Sequence, residues 1–409
     1  MQANPTSNST DPKETLGSVA PRVCVALAVF GVVMIAAAFG LGKARGDDLR
    51  YFLHSYLTGY CYWLSISLGA LFFVALQHAT RAGWSVTVRR LAEVLAANIL
   101  VPAILFLPIL IPVLQGNGGL YPWADPDIVA GSELLQHKAA YLNSGFFAAR
   151  AIGYFVVWAL LGACFLQRSV RQDESGDPVL TQRMERLGGP ALLVLGLTVT
   201  FAAFDWLMSL EPNWFSTIFG IYYYAGAAVG FQAVLILAAI LLQATGRVSE
   251  RSITVEHYHD LGKLLFTFVF FWGYIAFSQY MLIWYANIPE ETSWYLTRQT
   301  GTWKWVSLIL LFGHLLIPFV ALLSRKVRRS KVLLGFWAVW LLVVHWIDVY
   351  WLVMPGVDGQ AAPIGLIDGA CLLGIGSLYL AGAVRIAGRR SLVVTGDPRL
   401  GESLAFENS

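Results

Sequence analysis

The sequence predicts an all-α integral membrane protein of about ten transmembrane helices. Three observations carry this reading. The chain of 409 residues is 57% hydrophobic and only 13% charged, its mean hydropathy is +0.62, and its apolar residues fall into ten runs of roughly twenty residues. Each run can cross a hydrocarbon core ~30 Å thick at about 1.5 Å of rise per residue. The runs lie near 22–41, 57–78, 89–114, 144–166, 189–209, 217–243, 263–285, 303–323, 332–353 and 364–387. The net charge of +3 says little, but the placement of the cations says more. If the runs alternate in direction, only Lys43, Arg45, Arg50, Lys138, Arg150, Arg298 and Lys304 fall on the side away from the termini, so the positive-inside rule puts both termini in the cytoplasm. The basic loop Arg325–Lys331 is then a topology signal and not a nucleic-acid surface.

Residues 1–20 are rich in Ser, Thr, Asn and Pro and read as a disordered cytoplasmic tail, not a signal peptide. The ten-helix domain covers 21–388, with a half boundary near the polar stretch 167–188, and 389–409 form a cytoplasmic C-terminal tail read as partly disordered. No residue-level internal repeat relates the two halves. Cys24, Cys61, Cys164 and Cys371 all sit inside spans, without CxxC or CxxCH spacing, so the chain is expected to hold no zinc site, iron–sulfur cluster or covalent haem of its own.

The chain is organised around Phe204–Gly220, which joins spans five and six as a tight hairpin at the membrane surface. Pro212 cannot continue a helix, Asn213 or Ser216 is available to cap the next one, and Trp206 and Trp214 suit the headgroup layer. Asp205 lies inside the span, where an ionised carboxylate costs roughly 2.5 to 3.5 kcal/mol on insertion scales. It therefore needs a partner or a task. Arg150 is either its counter-charge or an interfacial anchor.

The other polar residues mark further depths. Pro102, Pro108 and Pro112 predict a kinked third span whose freed carbonyls need neighbours or water, and Glu93 at its entrance either pairs with Arg89 or Arg90 or serves proton uptake. The long segment 115–143 reads as a folded loop that either caps the bundle or docks a partner. At the start of span seven, His257 and His259 are two apart and point away from one another on a helix, a poor metal pair; with Asp260 and Lys263 they form a hydrated helix entrance or a proton-entry site. Glu290 and Glu291 sit at a proline-terminated helix end on the outer side. His314 lies at the centre of span eight, and His345 and Asp348 share one face of span nine at i, i+3, where the carboxylate can orient the imidazole. His314 and His345 differ in depth by only ~6 Å of rise, so bis-histidine ligation of a b-type haem is an alternative to that pairing. Titratable groups at several depths can serve proton transfer, or can form an electrostatic network that only fixes helix packing.

The motifs Phe204–Pro212 with Trp214–Gly220, His259–Lys263, Met281–Glu291, and His345–Asp348 with Tyr350 and Trp351, occurring in that order, closely resemble those of the ActF subunits of bacterial alternative complex III, over roughly residues 20–390. The resemblance implies an NrfD/PsrC-like architecture of a pair of four-helix bundles plus two additional helices in the bacterial inner membrane. It implies a structural subunit, possible proton conduction, and no catalytic residue in this chain. It also implies partners: a paralogous ten-helix quinol-site subunit (ActC-like), an iron–sulfur subunit, multihaem and monohaem c subunits, and other small membrane subunits. Haem c and iron–sulfur clusters would lie in those partners, with quinone a possible ligand here. A proton role is carried to Asp205, His259, Asp260, Glu290, Glu291, His345 and Asp348 within the motifs; His314 and Arg150 join them from the residue reading alone. The alternatives from the residues themselves are an autonomous secondary transporter and the b-haem electron carrier.

Overall fold

The structure, a computed structural model, describes residues 14–357, 361–388 and 390–408. Among them there are ten helices long and apolar enough to cross a membrane, as expected of a multi-pass membrane protein. They are α1 Val19–Arg45, α2 Arg50–Ala79, α3 Val86–Leu114, α4 Ser144–Ser175, α5 Pro178–Trp206, α6 Phe219–Ala244, α7 Val255–Ala286, α8 Trp303–Leu323, α9 Lys331–Val353 and α10 Leu366–Ala387. The start of α1 and the end of α10 share one face, called here the near face; the hairpin after α5 is on the far face.

Helix α2 runs through the middle and is buried along most of its length, touching α3, α5, α6, α9 and α10. Helix α6 packs against α2, α5, α7 and α9, while α1 lies along α10 at the periphery. Close approach at the centre depends on glycine. A Cβ on Gly69 of α2 would stand 2.5 Å from Phe231 Cβ and 2.6 Å from the Ala227 carbonyl of α6, and one on Gly188 of α5 would stand 2.7 Å from the Ala75 carbonyl of α2. Small residues let backbones meet where no hydrophobic drive separates helix from lipid.

The prolines of α3 divide it into Val86–Ala97, Leu100–Leu105 and Leu107–Leu114. Each proline removes an N–H and crowds the carbonyl four residues before it. The exposed backbone is recovered from neighbours: Tyr56 donates to the Leu105 carbonyl at 2.8 Å and Ser67 to that of Leu95 at 2.8 Å, while the Asn98 side chain ties α3 to the Tyr379 carbonyl of α10 at 2.8 Å.

Several local expectations are corrected. The stretch 167–187 is not a loop: α4 and α5 continue past the apolar runs and meet at Gly176, in the left-handed region at φ 64°, and Asp177, whose side chain accepts from Val179 N–H at 2.9 Å and caps α5. Charge at a helix end extends the helix into water without ending it. Pro289 likewise opens a helix, Pro289–Gln299, after the left-handed Asn287 ends α7. Neither Asn213 nor Ser216 caps α6, whose N-cap position is Ile218. Trp206 and Trp214 are buried in protein, Trp206 among Phe106, Phe155 and Trp158 and Trp214 stacked 4.3 Å from Trp294, so they are core residues and not headgroup anchors. The segment 115–143 caps the hairpin, with Tyr121 donating to the Trp206 carbonyl at 2.9 Å and Trp123 to Ser209 Oγ at 3.1 Å.

The ends of the chain also differ from expectation. Residues 1–13 of the expected N-terminal tail, with 389 and 409, lie outside the described residues, but Glu14 already accepts from Leu392 N–H at 2.7 Å. The C-terminal tail is packed across the near face. Asp173 accepts from the N–H groups of Thr395 and Gly396 at 2.8 and 3.0 Å, Asp397 pairs with Arg89, and Arg399 pairs with Glu185 at 2.7 Å. Glu93 lies between Arg89 and Arg90 at 3.4 and 3.0 Å, and Arg90 reaches Asp173 at 2.6 Å. The tail adds Asp397 as a third carboxylate to this buried arginine pair.

Replacing Gly69 with Val is expected to push α6 from α2 and destabilise the fold by about 1–3 kcal/mol, the usual cost of overpacking. Detergent-induced unfolding followed by far-UV circular dichroism measures this.

Candidate functional site

The polar residues of the bundle divide into a central cluster and two flanking sets. At the centre, five helices converge. His345 on α9 bonds through Nε2 to Ser65 Oγ of α2 at 3.0 Å, and Ser65 donates to the Tyr62 carbonyl at 2.6 Å. Ser65 has a single proton, so in this arrangement Nε2 donates and Nδ1 is the bare nitrogen. Asp348, one turn on, accepts from Tyr222 O–H of α6 and from Trp272 Nε1–H of α7 at 3.1 Å. His314 of α8 lies with its ring centroid 3.9 Å from that of Trp272 and 6.3 Å from that of His345.

The i, i+3 spacing does place His345 and Asp348 on one face. Both press on Gly226, where a Cβ would meet His345 Cε1 at 3.0 Å and Asp348 Oδ2 at 3.3 Å, and Gly230 lies against the other edge of the ring. They do not bond to one another; Ser65, not Asp348, orients the imidazole. His314 is fully buried in a π-helical segment, Leu310–Leu316, and neither ring nitrogen has a hydrogen-bond partner among the described residues. His345 Nδ1 is unpartnered in the same way. Buried polar atoms are nearly all satisfied in native proteins, and π-bulges are frequent at functional positions. Three bare nitrogens in one cluster are therefore its chief chemical feature.

The far-face set contains two arginine–carboxylate pairs, each with one member fully buried. Arg150 grips Asp205 with two parallel bonds of 2.8 and 2.9 Å, Tyr154 adds a third donor at 2.8 Å, and the guanidinium lies over the Tyr141 and Phe146 rings. Arg150 is thus the counter-charge of Asp205, in the bidentate geometry that binds carboxylate most strongly. Sequence reasoning missed the second pair. Arg298, counted only as a loop cation, is fully buried, stacked 3.4 Å over Trp294, and donates to the carbonyls of Trp294, Trp351 and Leu352 as well as to Glu211 at 3.1 Å. Burial pulls its guanidinium below the usual range, and the Glu211 carboxylate opposes that shift. The Trp294–Arg298 spacing of one helical turn is the signal for such a stack. Trp351 and Leu352 follow Asp348 on α9 by three and four residues, so this pair lies about one turn beyond the central cluster.

The near-face set is built at the start of α7. His257 Nδ1 accepts from Thr254 N–H at 3.1 Å and its Nε2 meets Ser403 Oγ of the tail at 3.2 Å, so it closes a cap. His259 is buried with neither nitrogen partnered among the described residues, and Asp260 pairs with Lys263 at 2.7 Å. Glu290 and Glu291 are not brought into any of these sets: they occupy the first turn of Pro289–Gln299, with Glu290 exposed, where carboxylates suit the helix dipole. Ser65, Tyr222 and Trp272 were also missed. Gly226 and Gly230, one turn apart on α6, were their only sequence signal, since such a pair marks a helix face that something approaches closely.

The b-haem alternative does not fit. One face of His314 is covered by Trp272, while His345 presents Nε2 to Ser65 and its opposite edges to the α6 backbone, so a macrocycle between the two histidines would displace α6. Among the described residues no group of three or more His, Cys, Asp or Glu is placed to hold a metal ion. No family model and no curated protein matches the chain.

Arg150→Met is expected to destabilise the protein by about 3–5 kcal/mol, because it leaves the Asp205 charge buried without compensation. Combining it with Asp205→Asn should cost less than the sum of the two single changes, which a double-mutant cycle of detergent unfolding tests.

Proposed function

We propose that the chain is an integral membrane subunit of a respiratory quinol:electron-acceptor oxidoreductase of the alternative complex III type, structural and proton-conducting, with the redox centres in partner subunits. The observation that carries the proton role is the central cluster, in which His314 and His345 keep bare ring nitrogens beside Asp348. A neutral imidazole with a free nitrogen accepts a proton, and a carboxylate held by a phenol and an indole N–H stabilises the resulting charge. Towards the far face the route continues one turn along α9 to Arg298 and Glu211, whose carboxylate is 32% exposed. Towards the near face it begins at His259 and Asp260. About 20 Å of α7 separates His259 from Trp272, so water must bridge that interval for conduction.

The architecture supports the same reading. Helices α2–α5 contact one another, as do α6–α9, with α1 and α10 paired outside them, as an NrfD/PsrC-like pair of four-helix bundles with two added helices requires. The near face is then cytoplasmic, in the bacterial inner membrane, in keeping with its excess of Lys and Arg. The partners are a paralogous ten-helix quinol-site subunit, an iron–sulfur subunit, c-type haem subunits and small membrane subunits. Asp205, gripped by Arg150, acts in this reading as a packing ion pair.

The test uses the assembled complex in proteoliposomes. Asp348→Asn and His345→Ala are expected to slow proton release about a hundredfold, the low end of what a positioned proton-transfer group contributes, while quinol oxidation in uncoupled vesicles is retained. Unchanged proton release in both variants overturns the proton role. A tagged chain that elutes from its native membrane without haem c or iron–sulfur partners overturns the assignment to a respiratory complex.

A further inference from the structure

Where α2 ends and the α4–α5 hairpin rises from the near face, the structure forms an open cleft of about 470 Å³, within the range of small-ligand sites. Arg81, Arg186 and Arg399 line it, with Glu185 the one carboxylate among its lining residues. Glu185 holds two of the arginines, Arg399 at 2.7 Å and Arg81 at 3.3 Å, and so sets their positions without neutralising the site. Arg186 makes no ion pair among the described residues and is exposed.

Two further features point to an occupant. Arg81 has φ 53°, the left-handed conformation that closes α2 through Arg81 N–H to the His78 carbonyl and Ala82 N–H to that of Gln77. Glycine fills such a position without cost, whereas an L side chain is strained there. Here the position instead carries a guanidinium over the cavity. The second feature is the face of α5 below it. Gln182, Arg186, Pro190, Leu193 and Leu197 recur at helical spacing, and Leu193 and Leu197 are 73% and 62% exposed. The polar residues end at Arg186, and the apolar stretch begins at Leu187. An apolar stripe thus leads directly up to the arginines.

We propose that this cavity binds a phosphate-bearing anion, with the phosphate on Arg186 and Arg81 and Arg399 held by Glu185 as further donors. The stripe along α5 favours a membrane phospholipid, its acyl chain against Leu193 and Leu197, over a free phosphate. Basic pockets between helices on this side of a membrane are suited to anionic headgroups, and guanidinium to phosphate.

The full chain in mild detergent, offered equal amounts of dioleoyl phosphatidylglycerol and dioleoyl phosphatidylcholine, is read by native mass spectrometry. The wild type should retain phosphatidylglycerol preferentially, and Arg186→Gln or Arg81→Gln should lower that preference about fivefold each. Arg183→Gln, an exposed neighbour that does not line the cavity, should leave it unchanged. Preference that survives excess inorganic phosphate assigns the site to lipid. A thermal shift with inorganic phosphate alone, lost in Arg186→Gln and without lipid preference, assigns it to a soluble phosphate. Equal retention of both lipids with no phosphate effect, or an equal loss in Arg183→Gln, overturns the proposal.

Discussion

A charge inside an apolar bundle must be matched, and the arrangement of this protein follows from how its arginines are matched. Arg150 closes on Asp205, Arg298 on Glu211, and Arg89 and Arg90 on Glu93, Asp173 and Asp397. Each pair ties together parts of the chain that are distant in sequence: α4 to α5, the hairpin after α5 to the helix after α7, and α3 to α4 and the C-terminal tail. Desolvation makes each link costly to leave half-made, so these pairs specify which helix ends meet even where their net contribution to stability is small. The caps on both faces, residues 115–143 and 390–408, complete the same matching.

Against that background the centre of the bundle is an exception. Three of the four ring nitrogens of His314 and His345 are bare among the described residues. A purely structural network would be expected to close its hydrogen bonds, as Asp368 does with Tyr51, Ser55 and Gly365 N–H. The contrast separates two roles that sequence reasoning had left joined. Asp205 and Asp368 are held fast, whereas the histidine cluster keeps capacity for a proton or a water.

Most of the architecture was legible in the chain because membrane-spanning length and apolarity are local properties. Ten runs became ten helices, the proline-rich α3 broke into three segments, and Glu93 found both candidate arginines. Part of the site was legible for a similar reason: a 3.6-residue period puts His345 and Asp348 on one face whatever surrounds them. Expectations that depended on a neighbour mostly failed, although Arg150 does meet Asp205. Trp206 and Trp214 resemble headgroup anchors in sequence, but α3 and α4 pack around Trp206 and the helix Pro289–Gln299 packs on Trp214. The C-terminal tail reads as polar and disordered until Arg89 is seen beneath Asp397.

By itself, then, the sequence determined the number of membrane-spanning helices and the position of each titratable group along its own helix. Hydrophobic length and residue rise suffice for that. Only the tertiary structure decided the pairings: Arg298 rather than a loop cation's fate in water, Ser65 rather than Asp348 as the partner of His345, and a histidine of α8 laid against a tryptophan of α7. Hydrogen bonds act over about 3 Å, and which groups come within that distance depends on how helices far apart in sequence rotate and tilt against one another.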